Sequence, residues 1–90
     1  MNKERRKELS GAVELLEEAQ ELVEEAKDIV DSCKCEEEEY RDNMPENLQS
    51  SERYDMADEA CDNMDTAIDS LDGILSSLEE AVSSIENASE

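Results

Sequence analysis

The sequence predicts an all-α protein, a long antiparallel two-helix coiled-coil hairpin that we expect to dimerise into a four-helix bundle. Apolar residues recur at alternating steps of three and four along two stretches of the chain, and the only proline, Pro45, lies between them. The 90 residues include no His, Trp or Phe and are 40% charged, which is typical of helical and coiled-coil chains. A chain of this length makes one domain, residues 1–90.

The first helix is predicted over residues 5–44. Its a and d heptad positions, the two rows that face a neighbouring helix, are apolar over four heptads. These positions are Leu9, Ala12, Leu16, Ala19, Val23, Ala26, Val30 and Cys33. The same frame reaches Met44, where the helix should end because Pro45 disfavours the α conformation at the residue before it.

The second helix is predicted over residues 51–87, after a turn at residues 45–50. Ser50 or Ser51 can accept a hydrogen bond from the first free backbone N–H groups of this helix. A linker this short makes the two helices antiparallel neighbours. The a and d positions of the second helix are Tyr54, Ala57, Cys61, Met64, Ile68, Leu71, Leu75, Leu78, Val82 and Ile85.

The e positions differ in charge between the helices. In an antiparallel pair the e row of one helix lies beside the e row of the other, so ion pairs worth a few tenths of a kcal/mol each should connect them. The first helix carries Arg6, Val13, Gln20, Lys27, Lys34 and Arg41 on this row. The second helix carries Asp58, Asp65, Asp72, Glu79 and Glu86.

The g positions form a third row, which is apolar in both helices and is called the apolar row below. A hairpin buries only its a and d rows, so we expect a second copy of the chain to cover the apolar row in a homodimer. Helices of a different partner protein, or a solvated monomer, are the alternatives. The predicted dimer interface consists of Leu15, Leu22, Ile29, Ala67, Ile74 and Ala81.

The three cysteines do not suggest a cofactor or a metal site. Cys33 and Cys35 point about 200° apart on a helix, and neither a histidine nor a fourth soft ligand is available for zinc. Cys33 and Cys61 occupy seam positions, where we expect small buried side chains, and Cys35 points outward. A disulfide between Cys33 and Cys61 across the hairpin is the alternative.

An enzyme is not expected. The chain has no histidine, no serine-based catalytic constellation and no glycine-rich phosphate loop, and a two-helix protein offers no pocket to shift carboxylate pKa values. No apolar run follows the first residues, and apolar residues never occur more than two in succession. We therefore expect no signal peptide, no membrane span and a cytoplasmic location.

The charge distribution points to a basic partner. The net charge of −20 disfavours direct binding to nucleic acid or to an anionic membrane. Residues 9–90 contain 26 of the 28 acids but only four of the eight bases, and this self-repulsion is most easily explained by a basic target. A structural or scaffolding coiled coil with a solvated surface, and other partner binding, are the alternatives.

An acidic face on the first helix is the predicted binding surface. Paired glutamates recur every seven residues, or about 10.5 Å along a helix, so they resemble the phosphate row of a duplex. We expect this face to bind the basic groove of a nucleic-acid-binding protein. It consists of Glu17, Glu18, Glu21, Glu24, Glu25 and Asp28.

The segment from Tyr40 to Tyr54, between a glutamate-rich first helix and the Ala-Cys-Asp-Asn-Met stretch of the second, resembles small acidic helical proteins of bacteriophages and prophages. The resemblance implies an origin in which such proteins block host defence nucleases, as anti-CRISPR and anti-restriction DNA mimics do. The location would then be the host cytoplasm. The family offers no mapped site, so the resemblance implies no role for any individual residue.

Overall fold

The computed structural model describes all 90 residues and contains two long α-helices and no strand. Helix α1 spans Lys3–Asp42, helix α2 spans Glu52–Ala88, and a single 3₁₀ turn, Glu46–Leu48, lies between them. The all-α class and the two-helix organisation are therefore confirmed. Neither helix has an apolar stretch of the length and hydropathy that crossing a membrane requires.

Helix α1 begins and ends two residues earlier than the predicted range of 5–44. At its start, the Asn2 side-chain oxygen accepts a hydrogen bond from the Arg5 backbone N–H at 2.8 Å, so Asn2 caps the helix. At its end, the Met44 backbone N–H bonds to the Arg41 carbonyl at 3.3 Å, a tighter turn than an α-helix makes. Pro45 then takes an extended conformation, with φ of −57° and ψ of 149°.

The linker is held by its own hydrogen bonds. The Leu48 N–H donates to the Pro45 carbonyl at 2.8 Å, and the Gln49 side-chain amide donates to the Met44 carbonyl at 3.4 Å. The Ser51 hydroxyl accepts from the Tyr54 N–H at 3.3 Å and so caps α2, as one of the two predicted serines should. Met44 is buried beneath this linker.

The chain forms two compact units. Unit 1 comprises Met1–Glu25 and Leu71–Glu90, and unit 2 comprises Ala26–Ser70 with the linker. In unit 2, Lys34 of α1 pairs with Asp65 of α2, and Arg41 further along α1 pairs with Asp58 nearer the start of α2. The helices of unit 2 are therefore antiparallel, and this unit is a helical hairpin.

The predicted a and d rows of α2 form its packing face. In unit 2, Ala57 and Cys61 are each only 3% exposed, and the other seam side chains are half-buried. In unit 1, all five seam side chains from Leu71 to Ile85 are half-buried. The periodicity of three and four therefore located the packing face of α2 along its whole length.

The packing face of α1 differs from the prediction within unit 2. There the a positions Val30 and Glu37 are half-buried as expected, but the d row is exposed and the e row is half-buried in its place. The face is rotated by roughly 50° about the helix axis. The exposed d residues are Ala26, Cys33 and Tyr40, and the half-buried e residues are Lys27, Lys34 and Arg41.

Ion pairing explains this rotation. The Arg41 guanidinium lies 2.9 Å from the Asp58 carboxylate, and the Lys34 ammonium contacts Asp65, so the predicted pairing of the two e rows is confirmed at these positions. The long stems of lysine and arginine also cover apolar surface while their charged ends reach the carboxylates. Ala26 and Cys33 are small and gain less from burial, which favours the e row at those two positions, but size does not account for the exposure of Tyr40.

The pKa values of both cations follow from these contacts. The hydrogen bond to Asp65, aided by the nearby acidic charges, raises the pKa of Lys34 above its usual range. Hydrogen bonds to Asp42 and then to Asp58 raise the pKa of Arg41. Both side chains are positively charged at neutral pH, and their ion pairs connect the two helices of unit 2.

The two glycines, Gly11 of α1 and Gly73 of α2, lie inside the helices of unit 1. A Cβ atom built at either position meets no atom within 4 Å. Neither glycine is therefore needed for a close approach of neighbouring atoms.

Candidate interaction surfaces

The acidic face lies largely in unit 1. Glu17, Glu18, Glu21, Glu24 and Glu25 are all exposed on α1. They occupy heptad positions b, c and f, which point away from the half-buried a and e rows of the same helix. Two glutamate pairs thus repeat over one heptad on the solvent side of this unit.

The sixth predicted residue of the acidic face, Asp28, is exposed on α1 in unit 2. The ion pairs of Lys34 and Arg41 in that unit use other carboxylates, namely Asp58, Asp65, Asp42 and Glu38. The cations at Lys34 and Arg41 are therefore committed to their own unit and leave Asp28 available to a partner.

The apolar row is uncovered in unit 1. Leu15 is 67% exposed, Leu22 is 63% exposed and Ile74 is 45% exposed, although each is a large apolar side chain. Ala81, the fourth predicted interface residue of this unit, is half-buried. Leu22 lies four residues after Glu18 and three before Glu25, so the acidic face borders the apolar row on α1.

In unit 2 the apolar row contributes Ile29 and Ala67. Ile29 is 61% exposed, whereas Ala67 is half-buried on α2. The rotation of α1 in this unit brings the e row to α2 and leaves Ile29 beside the exposed Ala26 and Cys33. The exposed apolar surface of unit 2 is therefore wider than the g row alone.

The cysteines divide into two exposed thiols and one buried thiol. All three are free; Cys61 is buried, as predicted, but Cys33 is exposed like Cys35. The prediction of a buried Cys33 is wrong because α1 turns its d row to solvent in unit 2. Burial raises the pKa of the Cys61 thiol, which therefore stays protonated and poorly nucleophilic at neutral pH.

We expect a thiol reagent such as DTNB to modify two cysteines of the folded protein quickly and the third only on unfolding. Cys61 is slow because its sulfur is both buried and protonated. The absorbance of released thionitrobenzoate at pH 8 counts the thiols. A Cys61→Ala variant should keep the two fast thiols, and loss of a fast thiol in that variant would contradict the assignment.

Two open grooves lie at the linker end of unit 2. The first, of about 470 Å³, is lined mainly by Tyr40, Met44, Pro45 and Leu48, with Glu36, Glu39, Asn43 and Arg53 around them. The second, of about 540 Å³, is lined by Tyr40, Met56, Ala57 and Ala60, with Glu37, Glu52 and Arg53 around them. Tyr40 and Arg53 line both grooves.

No group of three or more Cys, Asp or Glu side chains is arranged to hold a metal ion. The geometry defines an acidic two-helix protein whose surface combines exposed carboxylates with uncovered apolar side chains. No protein-family model, curated protein or solved structure matches the chain.

Proposed function

We propose that the protein is an acidic inhibitor that binds the basic groove of a nucleic-acid-binding protein through its acidic face. The observation that carries the proposal is the exposure of paired glutamates on one side of α1, in a chain of net charge −20. It acts by occupying the groove and excluding nucleic acid, without chemistry of its own and without a cofactor.

The electrostatics favour such a partner. A basic groove lined by Lys and Arg presents the opposite potential, so complementary charge speeds the encounter and selects this partner over neutral surfaces. The repeat of about 10.5 Å between glutamate pairs places several carboxylates within reach of one groove. Binding also relieves the repulsion among the protein's own carboxylates, which no nearby cation of α1 between residues 8 and 26 offsets.

The resemblance to phage and prophage proteins suggests the biological setting. We infer that the target is a host defence nuclease of the CRISPR or restriction type, met in the cytoplasm of a bacterial host. Such enzymes hold DNA or RNA in cationic channels, the kind of surface that a nucleic-acid mimic fits.

The test immobilises the chain, captures proteins on it from a bacterial extract, and asks whether salt or DNA releases them. We expect nucleic-acid-binding proteins to be retained at 0.05 M NaCl and released by about 0.5 M, because exposed charges are screened at high salt. Duplex DNA should displace them at low salt. Mass spectrometry identifies the released proteins.

Polyglutamate of matched charge is the control competitor. It should displace the captured proteins far less effectively than DNA, because it lacks a fixed spacing of charges. Retention that neither salt nor DNA affects would overturn the proposal, and so would equal displacement by polyglutamate and DNA.

A structural role is a second candidate, favoured by the exposure of Leu15, Leu22 and Ile74. In this proposal the whole chain forms a coiled-coil hairpin, and two copies bury their apolar rows against each other in a four-helix bundle. Contact between two chains of net charge −20 is repulsive, so this dimer should tighten with salt, whereas binding of a basic partner should weaken. The dimer could serve as a scaffold subunit or could present two acidic faces at once.

A further inference from the structure

We infer that the linker end of unit 2 is a second docking surface, which takes a basic segment carrying a large apolar side chain. The surface is made by Tyr40, Leu48, Arg53 and Met56 and is called the hairpin end below. The inference deepens the proposed function and rests on it for the basic nature of the partner.

The apolar side chains of the hairpin end are exposed without a partner. Met56 is 64% exposed, and the apolar side chains of Tyr40 and Leu48 are also exposed. Tyrosine and methionine are both enriched at protein interfaces, and methionine adapts its shape to different side chains. Beneath them, Met44 and Ala57 are buried, so the floors of the two grooves are fixed by packing.

The size and openness of the grooves favour a protruding side chain. Volumes of about 470 and 540 Å³ fall within the range of ligand sites, but both grooves open to solvent and do not enclose a small molecule. A bulky apolar side chain of a partner segment can enter either groove beside Tyr40, while its backbone stays outside.

Charge around the grooves selects the flanking residues of that segment. Glu36 and Glu39 border the first groove, Glu37 and Glu52 border the second, and Arg53 is the one cation on both. Four carboxylates against one guanidinium attract lysine or arginine next to the apolar anchor. A second copy of this chain would bring the same carboxylates and be repelled.

The experiment uses two synthetic peptides of equal length and charge, one of alternating lysine and leucine blocks and one with serine in place of leucine. Fluorescence anisotropy at 0.15 M NaCl measures their binding to the full chain. We expect the Lys/Leu peptide to bind at least tenfold more tightly than the Lys/Ser peptide. Binding of the Lys/Leu peptide should shift the backbone amide NMR signals of the protein mainly at residues 36–60.

The variant pair Tyr40→Ser and Met56→Ser should reduce binding of the Lys/Leu peptide to the level of the Lys/Ser peptide. Cys35→Ser is the control, because Cys35 lies in the same unit, is exposed, lines neither groove and lies outside the apolar row. Circular dichroism checks that each variant keeps its helicity. Unchanged Lys/Leu binding in the double variant, an equal loss in the control, or shifts confined to Leu15, Leu22 and Ile74 would overturn the inference.

The same peptides separate this inference from the proposed function. Lysine substitution of the acidic face should strongly weaken binding of the Lys/Ser peptide, but the Lys/Leu peptide should still bind more tightly than the Lys/Ser peptide. If that substitution does not change binding of the Lys/Ser peptide, the proposed role of the acidic face is wrong, and the inference about the hairpin end is retained. If the substitution weakens binding of the Lys/Ser peptide but the Lys/Leu peptide binds no more tightly than the Lys/Ser peptide, only the inference about the hairpin end is wrong.

Discussion

Replacing Glu17, Glu18, Glu24 and Glu25 with lysine should abolish inhibition and weaken partner binding by at least about 30-fold. Four exposed ion pairs contribute about 0.5 kcal/mol or more each, and reversal adds repulsion to their loss. The helix should remain folded, because the new lysines lie three or four residues from Glu14, Glu21 and Asp28 and can pair with them. Isothermal titration against the protein captured from the extract gives the affinity, and circular dichroism gives the helicity.

A matched control reverses four exposed acids of α2. The substitutions Asp55→Lys, Asp62→Lys, Asp69→Lys and Glu80→Lys change the net charge by the same amount but leave α1 intact. This control should lose much less affinity. An equal loss in both variants would show that total charge decides binding and that the arrangement on α1 has no part in it. Undiminished binding by the α1 variant would leave its acids as a solvated surface only.

The second large effect concerns self-association. Leu22→Glu combined with Ile74→Glu should convert a dimer of about 20 kDa into a monomer of 10.1 kDa. Each substitution removes about 1 kcal/mol of apolar burial and occurs twice per dimer, so association should weaken by about three orders of magnitude. Sedimentation equilibrium in 0.15 M NaCl measures the mass.

Met56→Glu is the control for this result. Met56 is as exposed as Leu22 but lies outside the apolar row, so the dimer should survive its replacement. Repeating the measurement in 0.5 M NaCl should tighten the wild-type dimer, because salt screens the repulsion between the chains. A wild-type protein that is monomeric in both buffers would rule out the dimer and leave the apolar row for a different partner.

The sequence pattern predicted the elements and the face of α2 well, because the a and d positions of α2 are apolar without a break. In unit 1 this face carries Leu71, Leu75 and Leu78, whereas the equally large Ile74 lies at a g position and is 45% exposed. On α1 the prediction treated Ala26 and Cys33 as equal to leucine. Their burial yields little free energy, and the pairing of Arg41 with Asp58 decided the rotation instead.

The two candidate surfaces also differ in how far the sequence predicts them. Exposure of the acidic face follows from heptad geometry, since positions b, c and f lie outside the a, d and e rows along which the two helices pack. The two grooves of the hairpin end could not be predicted in this way. Met44 lies in the a and d frame of α1, but the grooves also depend on the path of a linker held by Gln49 and Ser51, which has no periodic signature.

The open space around Gly11 and Gly73 has an evolutionary consequence. Alanine is favoured over glycine inside a helix by about 1 kcal/mol, and a methyl group would fit at both positions without displacing an atom. Two single substitutions are thus available that would stabilise the protein and that selection has not fixed. Natural proteins commonly keep such stabilising substitutions unused, because selection removes only the mutations that lower stability below what function requires.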